Sequence, residues 1–237
     1  MPAREYFAAT SSPKPTGGTV QESTYQHLRR SIMIGEVRPG VALTIRGLAE
    51  KLGVSPTPVR EALRRLCAER ALTLLNNRRV MVPTMDVQRF EELLALRIAL
   101  ETHAADRALP YINERLIKQL ITVDTFIDEA IEKNDYEDAI IGNQQFHADI
   151  YRANPDQQVM PMVESIWLQL GPFVRLAVSN LETFYQFDRH QEAIAALRQR
   201  DPLALRVAIE ADIRDGIGHI GREGLLKDFI ASRGALR

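Results

Sequence analysis

A chain of 237 residues, 45% hydrophobic and 26% charged, is long enough for one large or two ordinary globular domains. It contains no run of about 18 apolar residues, and it does not open with the charged, apolar and small-residue pattern of a signal peptide. Membrane-spanning and secreted proteins are therefore excluded, and a cytoplasmic location is expected. The single cysteine excludes an internal disulfide framework.

The net charge of −1 conceals an uneven distribution of charge along the chain. Residues 19–83 carry 11 Lys or Arg against 5 Asp or Glu, whereas residues 84–237 carry 17 against 25. A basic segment joined to an acidic one predicts that only the first part meets a polyanion, since the second part would be repelled from it.

The chain begins with a segment that is rich in Ser, Pro and Gly, and residues 1–18 are predicted to form a disordered tail. A helix is predicted to follow over residues 20–34. Its apolar side is expected to carry Val20, Tyr25, Leu28 and Ile32.

The stretch 43–66 predicts two short helices joined by a tight turn. Gly53 can end the first helix in a left-handed conformation, and Ser55 can cap the second. Apolar residues recur at helical spacing on the second helix: Val59, Ala62, Leu63 and Leu66. Arg60 is left on the outer side with Arg64 and Arg65, and such a basic helix fits the major groove of DNA. An ordinary helical hairpin with a solvated basic face is the alternative.

Two short extended runs follow, over residues 71–75 and 80–83, with a polar, basic connection between them. They predict a β-hairpin. Three helices and a hairpin make a winged helix-turn-helix domain over residues 19–83, in which the hairpin tip can reach phosphates or the minor groove beside the recognition helix.

No strand pattern is present from residue 84 to residue 237, and this half is predicted to be an antiparallel all-α bundle with its own core. Six amphipathic helices are predicted, over 86–108, 112–133, 135–153, 156–180, 184–200 and 202–223. The fourth contains Gly171-Pro172 and is expected to be kinked or split there. The predicted fold class is thus mainly α.

Six polar residues interrupt the apolar stripes of these helices: Arg97, Glu101, Asn143, His147, His190 and Asp212. Burying a polar group is costly unless it has a partner, so each could be part of a hydrogen-bonded core, and Arg97 with Glu101 could be a structural ion pair. Considered jointly, two imidazoles, a carboxylate and an amide favour a divalent metal ion inside the bundle. The predicted metal ligands are Asn143, His147, His190 and Asp212.

The order G-E-V-R-P-G, L-A-E-K-L-G-V-S and T-P-V-R-E-A-L-R-R-L, followed by a short wing, resembles the DNA-binding domain of the GntR family of bacterial transcription regulators. The resemblance implies a set of DNA contacts at Arg46, Ser55, Thr57, Arg60 and the wing tip, Asn76, Asn77 and Arg78. There are two departures from the family pattern. Pro56 stands where an Arg is common, and Arg79 stands where a wing Gly is frequent.

The segments E-L-L-A-L-R-I-A-L-E, N-Q-Q-F-H-A-D-I-Y-R-A-N and A-I-E-A-D-I resemble the FCD effector domain of the FadR subfamily. In many such domains an Asp and three His bind a metal. His147 and His190 match that pattern, whereas Asn143 replaces the usual Asp and Asp212 falls where the last His is usual. Six effector-domain helices in place of seven indicate the VanR-like branch.

These observations together predict a homodimeric transcription regulator, expected to be a repressor, that binds a palindromic double-stranded operator. The helical half, residues 84–237, is expected to dimerise and to bind a small organic acid through the metal, Arg97 and Glu101. Zinc, nickel or manganese is expected because two of the ligands are imidazoles. The alternatives are a metalloenzyme with a fused regulatory DNA-binding domain and a non-specific nucleic-acid-binding protein.

Overall fold

The computed structural model describes residues 19–75, 79–178 and 189–218. The chain divides into two compact units: the first holds the residues up to Thr84 together with Trp167–Pro172, and the second holds Met85–Ile166 and the residues from Phe173 onward. The tail predicted over residues 1–18 lies outside the described residues. In the described ranges, no helix is long and apolar enough to cross a membrane.

The first unit contains three helices and a small sheet. In chain order its elements are α1 (Val20–Met33), β1 (Ala42–Thr44), α2 (Ile45–Leu52), α3 (Pro56–Ala68), β2 (Thr73–Leu74) and β3 (Arg79–Met81). The predicted hairpin is β2 paired with β3. On its other side β3 pairs antiparallel with β1, which sequence reasoning missed, so the strand order is β1-β3-β2.

The helix boundaries of the first unit follow from local chemistry. The Thr19 side chain accepts a hydrogen bond from the backbone of Glu22 and begins α1, and Gly53 ends α2 with φ of 65°. The predicted apolar faces of α1 and α3 are buried, except that Val20 is 54% exposed because it lies in the first turn. Ser55 occupies the N-cap position of α3, but its side chain makes no capping hydrogen bond.

The described residues of the second unit form helices joined by short connections. Its α-helices are α4 (Val87–Ala108), α5 (Glu114–Glu132), α6 (Tyr136–Tyr151), α7 (Met160–Val178), α8 (Arg189–Gln199) and α9 (Pro202–Ile217), with a 3₁₀ turn at Leu109–Tyr111. Residues Trp167–Pro172 of α7 fall in the first unit. Helix α7 begins four residues later than predicted, and it continues through Pro172, so of the two predicted possibilities, a kink or a split, it is not split. The predicted ends at residues 180 and 223 and the predicted start at residue 184 lie outside the described residues.

Five of these helices enclose a common interior. Helix α4 packs on α6, α6 on α5, α5 on α8, α8 on α9, and α9 on α4, which closes the ring. Gly142 permits the close approach of α6 to α5, since a Cβ atom there would lie 2.6 Å from Ile127 Cγ1. This approach matters for the site because Asn143 and His147 lie within the next five residues of α6.

Candidate functional site

Three buried side chains from three helices meet inside the ring. His147 on α6, His190 on α8 and Asp212 on α9 are at most 5% exposed, and each has a potential ligand atom within 4.8 Å of those of the other two. The Nε2 atom of His147 lies 2.9 Å from Asp212 Oδ2, and the Nε2 atom of His190 lies 3.6 Å from Asp212 Oδ1. This group of residues could hold a metal ion.

Asn143, the fourth predicted ligand, lies beside this group. It is half-buried one turn before His147, and its Nδ2 atom is 3.2 Å from His190 Nε2. In this orientation the amide donates to the imidazole lone pair. The side chain therefore has to rotate about its last torsion before its oxygen can face a cation at the same place.

A carboxylate that sequence reasoning missed orients His190. Asp124 on α5 is 2% exposed, and its Oδ1 atom lies 2.8 Å from His190 Nδ1. Because a carboxylate only accepts, Nδ1 carries a proton, and in the neutral ring Nε2 keeps the lone pair that accepts from Asn143 beside Asp212. Gln191 also donates to Asp124. The signal for Asp124 was present, since it continues the buried stripe that Ile117 and Leu120 begin.

A second hydrogen-bonded chain orients His147. Its Nδ1 atom lies 3.0 Å from the hydroxyl of Tyr151, and that hydroxyl donates to Glu101 Oε2 over 2.8 Å. The single phenolic proton is used by the carboxylate, so Nδ1 of His147 must donate to Tyr151 and Nε2 presents its lone pair to Asp212. Tyr151 is fully buried and was not predicted, because its ring also fits an apolar core.

The same Glu101 accepts from Arg97. The Arg97 Nε atom lies 2.6 Å from Glu101 Oε1, as expected for an i, i+4 pair on α4, and both residues are buried. In the described parts of the chain, only Glu101 accepts a hydrogen bond from Arg97, so the terminal Nη1 and Nη2 groups are left to other partners.

Charge on the neighbouring groups governs the ionisation of this interior. Burial by itself raises the pKa of the Asp212 carboxyl. When the two imidazoles carry a second proton, positive charge at His190 and the hydrogen bond from His147 outweigh burial and hold that pKa far below its usual value. Burial lowers the pKa of Arg97, and the Glu101 charge more than compensates. Burial and then the Glu101 charge raise the pKa of Tyr151, which keeps its proton. Arg97 is thus positively charged, Tyr151 is a neutral phenol and Asp212 is an ionised carboxylate.

The first unit exposes a different kind of surface. Ser55, Thr57 and Arg60 are exposed at the start of α3, where the hydroxyl of Ser55 makes no capping bond. Arg46, also exposed, pairs with Glu50 over 3.1 Å. The predicted wing-tip contacts Asn76, Asn77 and Arg78 lie outside the described residues.

Not every outer arginine of this unit is available for DNA. Arg65 stacks on the Tyr25 ring at 3.5 Å and donates to Glu22 over 2.7 Å. In contrast, Arg60 has no ion pair or hydrogen bond within the residues that the structure describes. Arg60 is therefore the better placed of the two to reach a base or a phosphate.

Family models match both units of the chain. Residues 20–82 match the model described as bacterial regulatory proteins, gntR family, and residues 92–215, more than half of the chain, match the FCD domain. The chain belongs to the GntR family. It is an FCD-containing member, of the FadR/VanR-like subfamily, and the helix-turn-helix and helical bundle described above are its DNA-binding and effector-binding domains.

Relatives of this GntR-family chain are named as regulators. It is 30% identical to the HTH-type transcriptional regulator McbR of Escherichia coli over 73% of this chain and 80% of the relative. It is 27% identical to the gluconate operon transcriptional repressor of Bacillus subtilis over 73% and 74% of the two chains. The solved structure of Escherichia coli McbR/YncC matches with a TM-score of 0.77 and 25% identity, over 87% of this chain and 99% of that one.

The family therefore confirms a transcription regulator with a GntR helix-turn-helix and an FCD effector domain. The metalloenzyme alternative is not supported, because both the family and these relatives are regulators.

Proposed function

We propose that this regulator is a homodimeric repressor whose affinity for a palindromic operator is controlled by a small carboxylate bound at a metal ion in the second unit. The observation that carries the proposal is the convergence of the Nε2 atoms of His147 and His190 on the buried carboxylate of Asp212. The proposed metal ligands are these three and Asn143.

Electrostatics support a cation at this point. With both Nδ1 protons directed away, the His147 lone pair faces an Asp212 oxygen 2.9 Å away, and two acceptors at that distance repel each other unless positive charge lies between them. A second proton on an imidazole supplies that charge, and a metal ion can take its place.

The charges of the surrounding network also favour a bound cation. Within it three buried carboxylates, Glu101, Asp124 and Asp212, accompany one buried guanidinium, that of Arg97. Like charges that lie together are costly in a low-dielectric interior, and a divalent cation among these carboxylates reduces that cost. Two imidazole ligands favour zinc, nickel or manganese over magnesium.

The free end of Arg97 supports a carboxylate effector. Nε is engaged by Glu101, so Nη1 and Nη2 can form a second, bidentate contact with a ligand carboxylate. The metal supplies positive charge and open coordination positions for the same ligand. We infer that Arg97 and the metal jointly bind the effector, and that Glu101 keeps Arg97 in place. The bound effector then lowers operator affinity by favouring one arrangement of the dimer.

An apolar surface of the second unit supports the homodimer. Tyr111 and Met162 are about half exposed and line one cleft of about 450 Å³ together with Leu100 on α4, among mostly polar residues. Leu96 lies exposed one turn before Leu100. Exposed apolar groups that lie together commonly mark protein interfaces. A palindromic operator is bound by two copies of a regulator, so a second copy of the chain is the proposed partner at this surface.

The metal proposal is tested by substituting the charged and the neutral ligand separately. Asp212→Ala should weaken zinc binding by about 100-fold or more, since losses in the second coordination shell alone cost about 10–100-fold. Asn143→Ala should weaken it less, because that ligand carries no charge. Adding Asn143→Asp to the Asp212→Ala protein should restore part of the affinity by returning a carboxylate to the site.

Calorimetric titration of chelator-treated protein with zinc, nickel and manganese measures these affinities, and elemental analysis should find about one metal per chain. Thermal melting checks that each variant is folded. A wild-type protein that takes up none of the three metals at neutral pH would leave the four residues as a hydrogen-bonded polar core.

The effector proposal predicts that Arg97→Ala abolishes the binding of citrate, used as a probe carboxylate, to the metal-loaded protein while operator binding persists. Arg206→Ala is the matched control, because Arg206 is a half-exposed arginine paired with Asp106 elsewhere in the same unit. Calorimetry measures the citrate affinity. Should Arg97 serve only as the partner of Glu101, the Arg97→Ala protein would melt at a lower temperature and still bind citrate like the wild type.

The DNA-binding proposal predicts that Arg60→Ala costs about 1–3 kcal/mol of specific binding to a site selected from random DNA by the wild-type protein. Arg65→Ala is the control and should change DNA affinity much less, since Arg65 is engaged by Tyr25 and Glu22. Titrations at one fixed salt concentration measure both. Equal losses from the two substitutions would contradict the assignment of Arg60 and indicate a non-specific contribution of charge.

The dimer proposal predicts that Met162→Glu shifts the protein from about twice the 26.8-kDa chain mass towards the monomer in sedimentation equilibrium. Leu203→Glu is the control, because Leu203 is also exposed but lies on α9 and does not line the cleft. A dimer that resists Met162→Glu and dissociates on Leu203→Glu would place the interface elsewhere.

A further inference from the structure

Within the described residues, a path of hydrogen bonds connects His147 to the proposed effector contact. The path runs from Arg97 Nε to Glu101 Oε1 over 2.6 Å, from Glu101 Oε2 to the Tyr151 hydroxyl over 2.8 Å, and from that hydroxyl to His147 Nδ1 over 3.0 Å. Every residue on this path is at most 8% exposed, so bulk water does not compete for these bonds.

The tyrosine is necessary for this connection. His147 Nδ1 lies 3.9 Å from Glu101 Oε2, which is too far for a direct hydrogen bond. The Tyr151 hydroxyl spans the gap because it can accept from the imidazole and donate to the carboxylate at the same time.

The other histidine has a separate partner. His190 donates to Asp124, which also accepts from Gln191. The two imidazoles are therefore held by different carboxylates, and Glu101, which serves His147 through Tyr151, also accepts from Arg97.

We propose that Tyr151 is a positioning residue that links carboxylate binding at Arg97 to metal binding at His147. This inference rests on the proposed metal and effector functions of the same site. A carboxylate at Nη1 and Nη2 shares the positive charge of Arg97, so Glu101 becomes a stronger acceptor for Tyr151. The hydroxyl then polarises the Nδ1–H bond of His147 more strongly, and the Nε2 lone pair becomes a better metal ligand.

Binding linkage is reciprocal, so the effect can be read from either ligand. The experiment measures the zinc dissociation constant of the full chain by competition with a chromophoric chelator, with and without saturating acetate. The ratio of the two constants is the linkage. In the wild type acetate should tighten zinc binding about fivefold or more, the lower end of ordinary coupling between sites.

Tyr151→Phe keeps the ring in the core and removes the hydroxyl, so it should weaken zinc binding and reduce the acetate ratio to nearly one. Asp124→Asn is the matched control. It weakens the partner of the other histidine, so it should also weaken zinc binding while the acetate ratio stays at the wild-type value. If Tyr151 only maintained the fold, Tyr151→Phe would lower the zinc affinity but leave the acetate ratio at the wild-type value, as Asp124→Asn does.

Glu101→Gln provides a second test, because the amide can still accept from Tyr151 but carries no charge to respond to Arg97. Its acetate ratio should also fall to nearly one. Thermal melting reports the folding of all three variants.

The outcomes separate this inference from the proposed function. A wild-type protein that binds no zinc overturns both. If the wild type shows the acetate effect and the Tyr151→Phe variant has the same ratio, the proposed metal and effector site stands. The proposed role of Tyr151 is then wrong. That result would mean that acetate acts on the metal directly.

Discussion

A neutral imidazole has one N–H group and one lone pair, and a buried imidazole needs a partner for each. In the second unit of this regulator the N–H groups of His147 and His190 are directed outward, to Tyr151 and to Asp124. Both Nε2 atoms are consequently on the inner side, where that of His147 faces Asp212 and that of His190 lies between Asn143 and Asp212. This pairing leaves three polar groups in an apolar core arranged so that they could hold a metal ion.

The ring of helices is what allows that pairing. Asp124, His147, His190 and Asp212 belong to four different helices, and each can reach the common interior only because its helix packs on both neighbours in the ring. Capping contributes to this precision. Asn113, Asp135 and Asp201 begin α5, α6 and α9 through hydrogen bonds to the first turn, and the start of a helix sets which residues face inward.

The basic charge of the first unit divides into structural and exposed parts. Arg29 and Arg65 pair with Glu69 and Glu22, and Arg65 also covers the Tyr25 ring, so these cations hold α1 against α3. The excess of positive charge in the sequence therefore overstates the number of arginines that are available for DNA. Arg60, at the exposed start of α3, is left to the solvent side.

The sequence by itself determined which residues face inward, because helical periodicity and capping residues are local properties. It placed Arg97, Glu101, His147, His190 and Asp212 on buried faces, and its motifs identified the GntR and FCD families. It did not find β1, whose three residues become a strand only by pairing with β3. Periodicity also carries no information about which helix faces which. The roles of Asp124 and Tyr151, and the shared contacts of Glu101, were decided by tertiary packing, because a hydrogen bond between residues 50 or 66 positions apart exists only once the ring has closed.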